Sequence, residues 1–201
     1  MALLVLVRHG ESTSNLANVF TGWLDVALTP AGEAEALDVA DRLRGISFDI
    51  AYSSTLIRTE RTLDLIVARP AWATVPVRHV DALRERMYGD LQGLNKAETA
   101  LKYGPAQVEE WRRGYDVAPP RGESLHQTQT RAVQFYEAEI APRLRADQHI
   151  LVVAHGNTLR GLRMHLEHLT VPQVEALEIP TGSIRVYRLD AELTILEMYD
   201  L

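Results

Sequence analysis

The chain has 201 residues, of which 46% are hydrophobic and 24% are charged, as is usual for a globular protein of one domain. Its net charge of -6 argues against a nucleic acid or an anionic membrane surface as a partner. Because the sequence contains no cysteine, disulfides, thiolate metal sites and cysteine nucleophiles are excluded.

The first half of the chain predicts alternating strands and helices. The apolar run from Leu3 to Val7 has the length and composition of a buried strand, and it is too short for a membrane span or signal peptide. We therefore expect a cytoplasmic protein. Thr29-Pro30 predicts the start of a helix, which Gly45 ends. The elements predicted next are a strand over Phe48 to Tyr52, a helix over Thr55 to Val67 and a strand over Val75 to Val80.

The second half continues this alternation. Short helices with turns are expected from Leu94 to Tyr115, and a capping box formed by Ser124 and Gln127 predicts the start of a longer helix. The elements predicted after that helix are a strand over Ile150 to Ala154, a helix to about His168, and strands over Ile184 to Leu189 and Thr194 to Met198. This order predicts an α/β fold with three layers, α/β/α, a mainly parallel central sheet, and a single domain over residues 1–201.

Two of the predicted apolar strands end in histidine, at His9 and at His155. Ligands of parallel sheets bind beyond the carboxyl ends of the strands, so both rings are expected near a ligand. A neutral imidazole can attack phosphorus and carry the phosphoryl group, and neighbouring arginines would lower its pKa. Gly10 would let the backbone come close to a ligand. The alternative for His9 is a loop histidine held by local hydrogen bonds.

Other residues support phosphoryl chemistry. Arg8 and Arg58 follow or lie close to strand ends, and His155 opens a helix whose N-terminal amides favour an anion. These groups could neutralise a phosphoryl group without a metal. Glu85 is the candidate general acid/base, and the alternative for it is a surface salt bridge with the adjacent arginines Arg84 and Arg86.

Several segments resemble a known family. Two segments resemble the signatures of the histidine phosphatase superfamily: Leu6-Val7-Arg8-His9-Gly10-Glu11-Ser12 and His155-Gly156-Asn157. The segments that resemble the 2,3-bisphosphoglycerate-dependent phosphoglycerate mutase family within it are Thr21-Gly22-Trp23, Glu85 to Lys96, Trp111-Arg112-Arg113 and Pro180-Thr181-Gly182. The similarity runs along essentially the whole chain.

The resemblance implies a role for each matching residue. His9 would be the phosphorylated nucleophile and Glu85 the general acid/base. The residues that would hold the transferring phosphoryl group are Arg8, Asn15, Arg58, His155, Gly156 and Asn157. The residues that would contact the rest of the substrate are Ser12, Thr21, Gly22, Arg86, Tyr88, Lys96, Arg112 and Arg113. A highly charged ligand in a chain of net charge -6 requires positive charge to prevail locally.

The implied activity is the interconversion of 3-phosphoglycerate and 2-phosphoglycerate in glycolysis and gluconeogenesis, primed by 2,3-bisphosphoglycerate and without a metal. The implied partners are small phosphoglycerates and further copies of the chain, in a dimer or tetramer. Two alternatives stay open: a phosphomonoesterase of the same superfamily, and an inactive module that binds phosphorylated ligands. The segment Pro119 to Ser124 is shorter than in longer family members, and so is the tail after the last strand. These departures bear on water exclusion and on the balance between mutase and phosphatase activity.

Overall fold

The computed structural model describes residues 1–201 and places a six-stranded sheet at the centre of the molecule. Its strands are β1 (Ala2–Arg8), β2 (Ile50–Ser53), β3 (Val77–His79), β4 (His149–Ala154), β5 (Ile184–Leu189) and β6 (Ile195–Asp200). Their order across the sheet is β3-β2-β4-β1-β5-β6. The first four strands run parallel to one another, β5 is antiparallel to β1, and β6 is antiparallel to β5. The predicted mainly parallel sheet is therefore confirmed, with an antiparallel edge.

The helices begin close to where their capping residues predict. They are α1 (Thr13–Leu16), α2 (Pro30–Arg42), α3 (Ile57–Val67), α4 (Lys96–Tyr103), α5 (Pro105–Arg113), α6 (Leu125–Phe135), α7 (Ala141–Arg145), α8 (Gly156–Glu167) and α9 (Val171–Ala176). Thr29 caps α2, and Ser124 with Gln127 forms the capping box of α6, as predicted. A π-helical turn over Tyr136–Ile140 joins α6 to α7, so the single long helix expected there is interrupted.

The side chains of the central strands alternate between two cores, one on each face of the sheet. In β1, Leu4 and Leu6 pack into the core beneath α6 and α8, whereas Val5 and Val7 pack into the core beneath α2 and α3. All four side chains are buried, and each such burial contributes roughly 1.5–3 kcal/mol relative to exposure. This arrangement explains why the central strands are apolar without interruption and confirms the three-layer α/β/α class.

The register between β1 and β4 brings the two histidines together. Arg8 is paired with Ala154, so the residues that follow each strand emerge side by side at the carboxyl edge. The backbone amide of His9 donates to the carbonyl of Ala154 at 3.1 Å. None of the helices is both long enough and apolar enough to cross a membrane.

The loop after β1 lies directly against the start of α2. A Cβ atom on Gly10 would lie 2.1 Å from the carbonyl oxygen of Gly32, so only glycine fits there. Gly10 thus permits a close approach to the backbone of α2, and its expected approach to a ligand stays a prediction. This contact holds the chain directly after His9 in place.

Candidate active site

His9 lies at the carboxyl edge of the sheet with one ring nitrogen committed to the backbone. Its Nδ1 is 2.7 Å from the carbonyl oxygen of Gly10. Because a carbonyl can only accept, Nδ1 carries the hydrogen and the lone pair is on Nε2. Burial, and then the charges of Arg58 and Arg8, hold the pKa of His9 well below its usual range. His9 is therefore neutral, with the lone pair that a nucleophile needs on Nε2.

Burial and the charge of Arg58 also lower the pKa of His155. The lowered pKa values of His9 and His155 can both be tested directly. Both shifts favour the neutral ring, so neither is expected to titrate in the range of a free imidazole, about 6.5. Histidine ring signals followed by NMR between about pH 8 and 6 should stay unchanged for these two residues. A titration midpoint at or above 6.5 for either ring would contradict the assignment.

A cavity of about 200 Å³ opens above His9 and is lined by charged and polar groups. Six of the lining side chains are basic and only Glu85 and Glu178 are acidic. The basic residues are Arg8, Arg58, Lys96, Arg112, Arg113 and Arg160. The chain as a whole carries a net charge of -6, but the cavity has an excess of positive charge, as an anionic ligand requires.

Arg8 and Arg58 are held against backbone on either side of His9. The guanidinium of Arg58 donates to the carbonyls of Gly22 at 2.8 Å and Leu24 at 2.9 Å, and that of Arg8 donates to the carbonyl of Ile179. Burial lowers the pKa of Arg58 to about 10, so the group remains charged at neutral pH. The arginines are fixed before a ligand arrives, which is the condition for electrostatic stabilisation of a transferring group.

Glu85 reaches the cavity from an extended segment anchored at several points. Its Oε1 accepts from the backbone amides of Arg86 at 2.7 Å and Asn157 at 3.1 Å. Its backbone carbonyl accepts from Trp23 Nε1 at 2.7 Å and from Arg131 Nη2 at 2.8 Å. Both ends of the residue are therefore held in place, although Glu85 belongs to no helix or strand.

The support for Glu85 comes partly from the short Pro119–Ser124 segment. Glu123 in that segment binds Arg131 in an ion pair at 2.9 Å and accepts from the backbone amide of Met87 at 2.9 Å. Burial opposes the charge on Glu123, but the ion pair and hydrogen bonds of Arg131 keep the pKa of this carboxyl below its usual range. The short segment is thus part of the framework of the site.

The remaining cavity walls come from α4, α5 and the start of α8. Lys96, Arg112 and Arg113 line the cavity, and Tyr88 accepts from Asn157 Nδ2 at 3.2 Å. Burial, followed by the charges of Arg112 and Arg8, lowers the pKa of Lys96. The predicted residues that the structure places along the cavity are Arg8, His9, Asn15, Thr21, Gly22, Arg58, Glu85, Tyr88, Lys96, Arg112, Arg113, Gly156 and Asn157.

Three predicted site residues do not line the cavity. His155 is buried behind it, with its ring centroid 5.0 Å from that of His9 and its Nε2 2.7 Å from Ser54 Oγ. Ser12 is the N-cap of α1 and bonds to Asn15. Arg86 is fully buried on the opposite side of its segment, where its Nε and Nη2 donate to the carbonyls of Glu123 and Val117, each at 2.7 Å. In the free protein the side chains of Ser12 and Arg86 thus make structural contacts, and their expected contact with substrate stays a prediction.

Five residues that line the cavity are not among the predicted ones, and two of these, Arg160 and Glu178, are charged. Arg160 lies one turn after Asn157 on α8, and its Nη1 donates to Asn157 Oδ1 at 3.1 Å. The helical spacing from Asn157 is the signal that could have identified it. Glu178 lies between α9 and β5, in a stretch whose position depends on long-range packing, and no local pattern indicates it.

The residues present suit a ligand with several negative charges. Four buried side-chain polar atoms have no hydrogen-bond partner in the protein, and one of them, Arg8 Nε, belongs to a residue of the cavity lining. Buried polar groups are normally satisfied, so this atom is suited to an anion at His9. No group of three or more His, Cys, Asp or Glu side chains is arranged to hold a metal ion.

The comparison with known proteins agrees with this fold and site. The model of the histidine phosphatase superfamily (branch 1) matches residues 4–200. The chain therefore belongs to this superfamily. A solved structure, Bacillus stearothermophilus YhfR, superposes with a TM-score of 0.86 at 24% identity and covers 98% of this chain and 96% of that chain, which shows the shared fold.

Two curated relatives narrow the similarity to one kind of enzyme within the superfamily. A protein of Methylobacterium radiotolerans is 51% identical over 96% of this chain and 92% of its own length. A protein of Nitrobacter winogradskyi is 50% identical over 99% of this chain and 97% of its own length. Both are 2,3-bisphosphoglycerate-dependent phosphoglycerate mutases. The resemblance drawn from the sequence motifs is confirmed.

Proposed function

We propose that this protein is a 2,3-bisphosphoglycerate-dependent phosphoglycerate mutase that interconverts 3-phosphoglycerate and 2-phosphoglycerate. The observation that carries the proposal is the free Nε2 of His9 at the base of a cavity with six basic side chains. Arg8 and Arg58 are sufficient to hold a single phosphoryl group. Lys96, Arg112 and Arg113 extend the positive wall and suit the second phosphate or the carboxylate of a phosphoglycerate.

In this mechanism His9 carries the phosphoryl group and Glu85 carries the proton. 2,3-Bisphosphoglycerate, when bound, supplies the phosphoryl group that first loads His9. The N–P bond of the loaded His9 breaks as a substrate hydroxyl attacks phosphorus, and Glu85 accepts the proton of that hydroxyl. After the substrate has turned, Nε2 takes the other phosphoryl group as its P–O bond breaks, and Glu85 returns the proton to the leaving oxygen.

The arginines supply the electrostatic part of the mechanism. Phosphoryl transfer needs charge on the phosphoryl oxygens to be stabilised in a fixed geometry, and Arg8 and Arg58 are already held by backbone carbonyls. We infer that a bound phosphoryl group would also take up the unpartnered Arg8 Nε. The positive charge comes from side chains, so the proposed mechanism invokes no metal.

The wider proposal covers the whole chain. We propose one catalytic domain over residues 1–201, acting in the cytoplasm on small phosphoglycerates, with neither nucleic acid nor membrane as a partner. The opening apolar residues form β1, which is paired on both sides within the sheet, as expected of a strand in the folded enzyme. A homo-oligomer, a dimer or a tetramer, stays a prediction.

The proposed activity predicts that 3-phosphoglycerate is converted to 2-phosphoglycerate only after priming. In an assay with purified protein, catalytic amounts of 2,3-bisphosphoglycerate should raise the isomerisation rate by at least about tenfold, because the unloaded His9 has no phosphoryl group to transfer. Release of inorganic phosphate, measured in the same samples, should be much slower than isomerisation.

Other outcomes of this assay identify the alternatives. Rapid phosphate release without 2-phosphoglycerate would contradict the mutase and indicate a phosphomonoesterase. If no acid-labile phosphohistidine forms from 2,3-bisphosphoglycerate, the protein is a binding module that does not catalyse the transfer.

A further inference from the structure

Glu178 places a carboxylate in a cavity that is otherwise suited to anions. It lines the cavity together with the six basic residues, although its side chain is 70% exposed. The carboxylate binds Arg113 in a close ion pair, and its Oε2 lies 3.8 Å from Arg160 Nη2. Its charge also acts on Arg8: burial lowers the pKa of that guanidinium, and the charges of Glu85 and then Glu178 oppose this effect. The carboxylate is thus among three cavity arginines.

The backbone around Glu178 is fixed by the same arginines. Arg160 Nε donates to the carbonyl of Leu177 at 2.7 Å, Arg113 Nη1 lies 3.5 Å from the same carbonyl, and Arg8 donates to the carbonyl of Ile179. The residues on both sides of Glu178 are therefore anchored to the cavity wall. The side chain of Glu178 takes no part in these backbone contacts, so it can rotate away from Arg113 without breaking them.

The ion pair of Glu178 is not needed for the fold. Exposed ion pairs contribute little to stability, and Glu178 packs against neither hydrophobic core. Within the cavity, however, its negative charge repels any anionic ligand group that approaches Arg113 and Arg160. A repulsive element of this kind changes which ligands bind well.

We propose that Glu178 is a specificity-determining residue whose carboxylate occupies, in the free protein, the position of the ligand's non-reacting anionic group. This inference rests on the proposed function, because it assigns the second anionic group of a phosphoglycerate to Arg113 and Arg160. A ligand with two anionic groups must displace Glu178, whereas a single phosphate at His9 need not. Glu178 therefore weakens the binding of bisphosphates more than it weakens the binding of inorganic phosphate.

The test compares E178Q with the wild-type protein by calorimetric titration. Glutamine keeps the shape of the side chain and removes its charge. Because the side chain is exposed, E178Q should fold as the wild type does, which circular dichroism checks. E178Q should bind 2,3-bisphosphoglycerate about tenfold more tightly, and inorganic phosphate less than about twofold more tightly. The control is E109Q, because Glu109 pairs with Arg112 at 3.1 Å and with Arg113 at 3.6 Å but does not line the cavity. Its effect on bisphosphoglycerate should be clearly smaller.

Each other outcome overturns the inference. Equal affinities of E178Q and wild type, equal tightening for both ligands, or an equal effect of E109Q would show that Glu178 does not occupy the second anion position. If neither protein binds 2,3-bisphosphoglycerate, the inference fails as well. The isomerisation assay on the wild-type protein distinguishes failure of this inference from failure of the proposed function. If the wild type is active but E178Q has no selective effect, the proposed function stands and only the role of Glu178 is refuted.

Discussion

Replacement of His9 by alanine should abolish both isomerisation and phosphate release, with a loss of roughly 10⁴-fold or more. No other cavity residue offers a neutral nitrogen with a free lone pair, because the ring of His155 lies behind the cavity wall and its Nε2 faces Ser54. The variant should also fail to form phosphohistidine from 2,3-bisphosphoglycerate, which ³²P transfer or mass spectrometry under alkaline conditions would detect.

The matched control for this variant is His165→Ala. His165 pairs with Glu137 at 2.9 Å, away from the cavity, and its loss should leave turnover near the wild-type rate. Circular dichroism and thermal unfolding would establish that His9→Ala is folded. Turnover retained by the folded His9→Ala protein would refute the nucleophile assignment.

Replacement of Glu85 by glutamine should reduce isomerisation by about 10²- to 10⁴-fold, the usual contribution of a general acid/base. Glutamine can keep an oxygen facing the backbone amides of Arg86 and Asn157, so the shape of the site is preserved while proton transfer is lost. The reduction should appear in kcat more than in KM, since Glu85 is not assigned to substrate binding.

The leaving group provides a sharper test of the role of Glu85. p-Nitrophenolate departs without needing a proton, so phosphorylation of His9 by p-nitrophenyl phosphate should be affected much less than isomerisation. Glu98→Gln, on the exposed surface of α4, is the control for loss of a carboxylate and should leave both rates unchanged. Equal losses with both substrates would indicate that Glu85 only shapes the site.

Much of the fold could be predicted because its signals are local. Uninterrupted apolar runs marked β1 and β4, and the capping residues Thr29 and Ser124 marked the starts of α2 and α6. The π-helical turn over Tyr136–Ile140 could not be foreseen, because the apolar spacing there also suits an uninterrupted helix.

The site was predictable where residues follow strand ends and less so elsewhere. His9 follows an apolar strand, which places it at the ligand edge of the sheet. Glu85 and Arg86 are neighbours in an extended segment, where adjacent side chains point to opposite sides, and the sequence does not say which side faces the cavity. Glu178 reaches the cavity only through packing of the chain between α9 and β5, so no short pattern could reveal it.

The pairing of Arg8 with Ala154 makes catalysis depend on how two strands are aligned. Side chains alternate between the two faces of a sheet, so a slip of one residue would turn one imidazole towards the other layer of helices. A single inserted residue within either strand would therefore separate the two rings even if every residue of the site were kept.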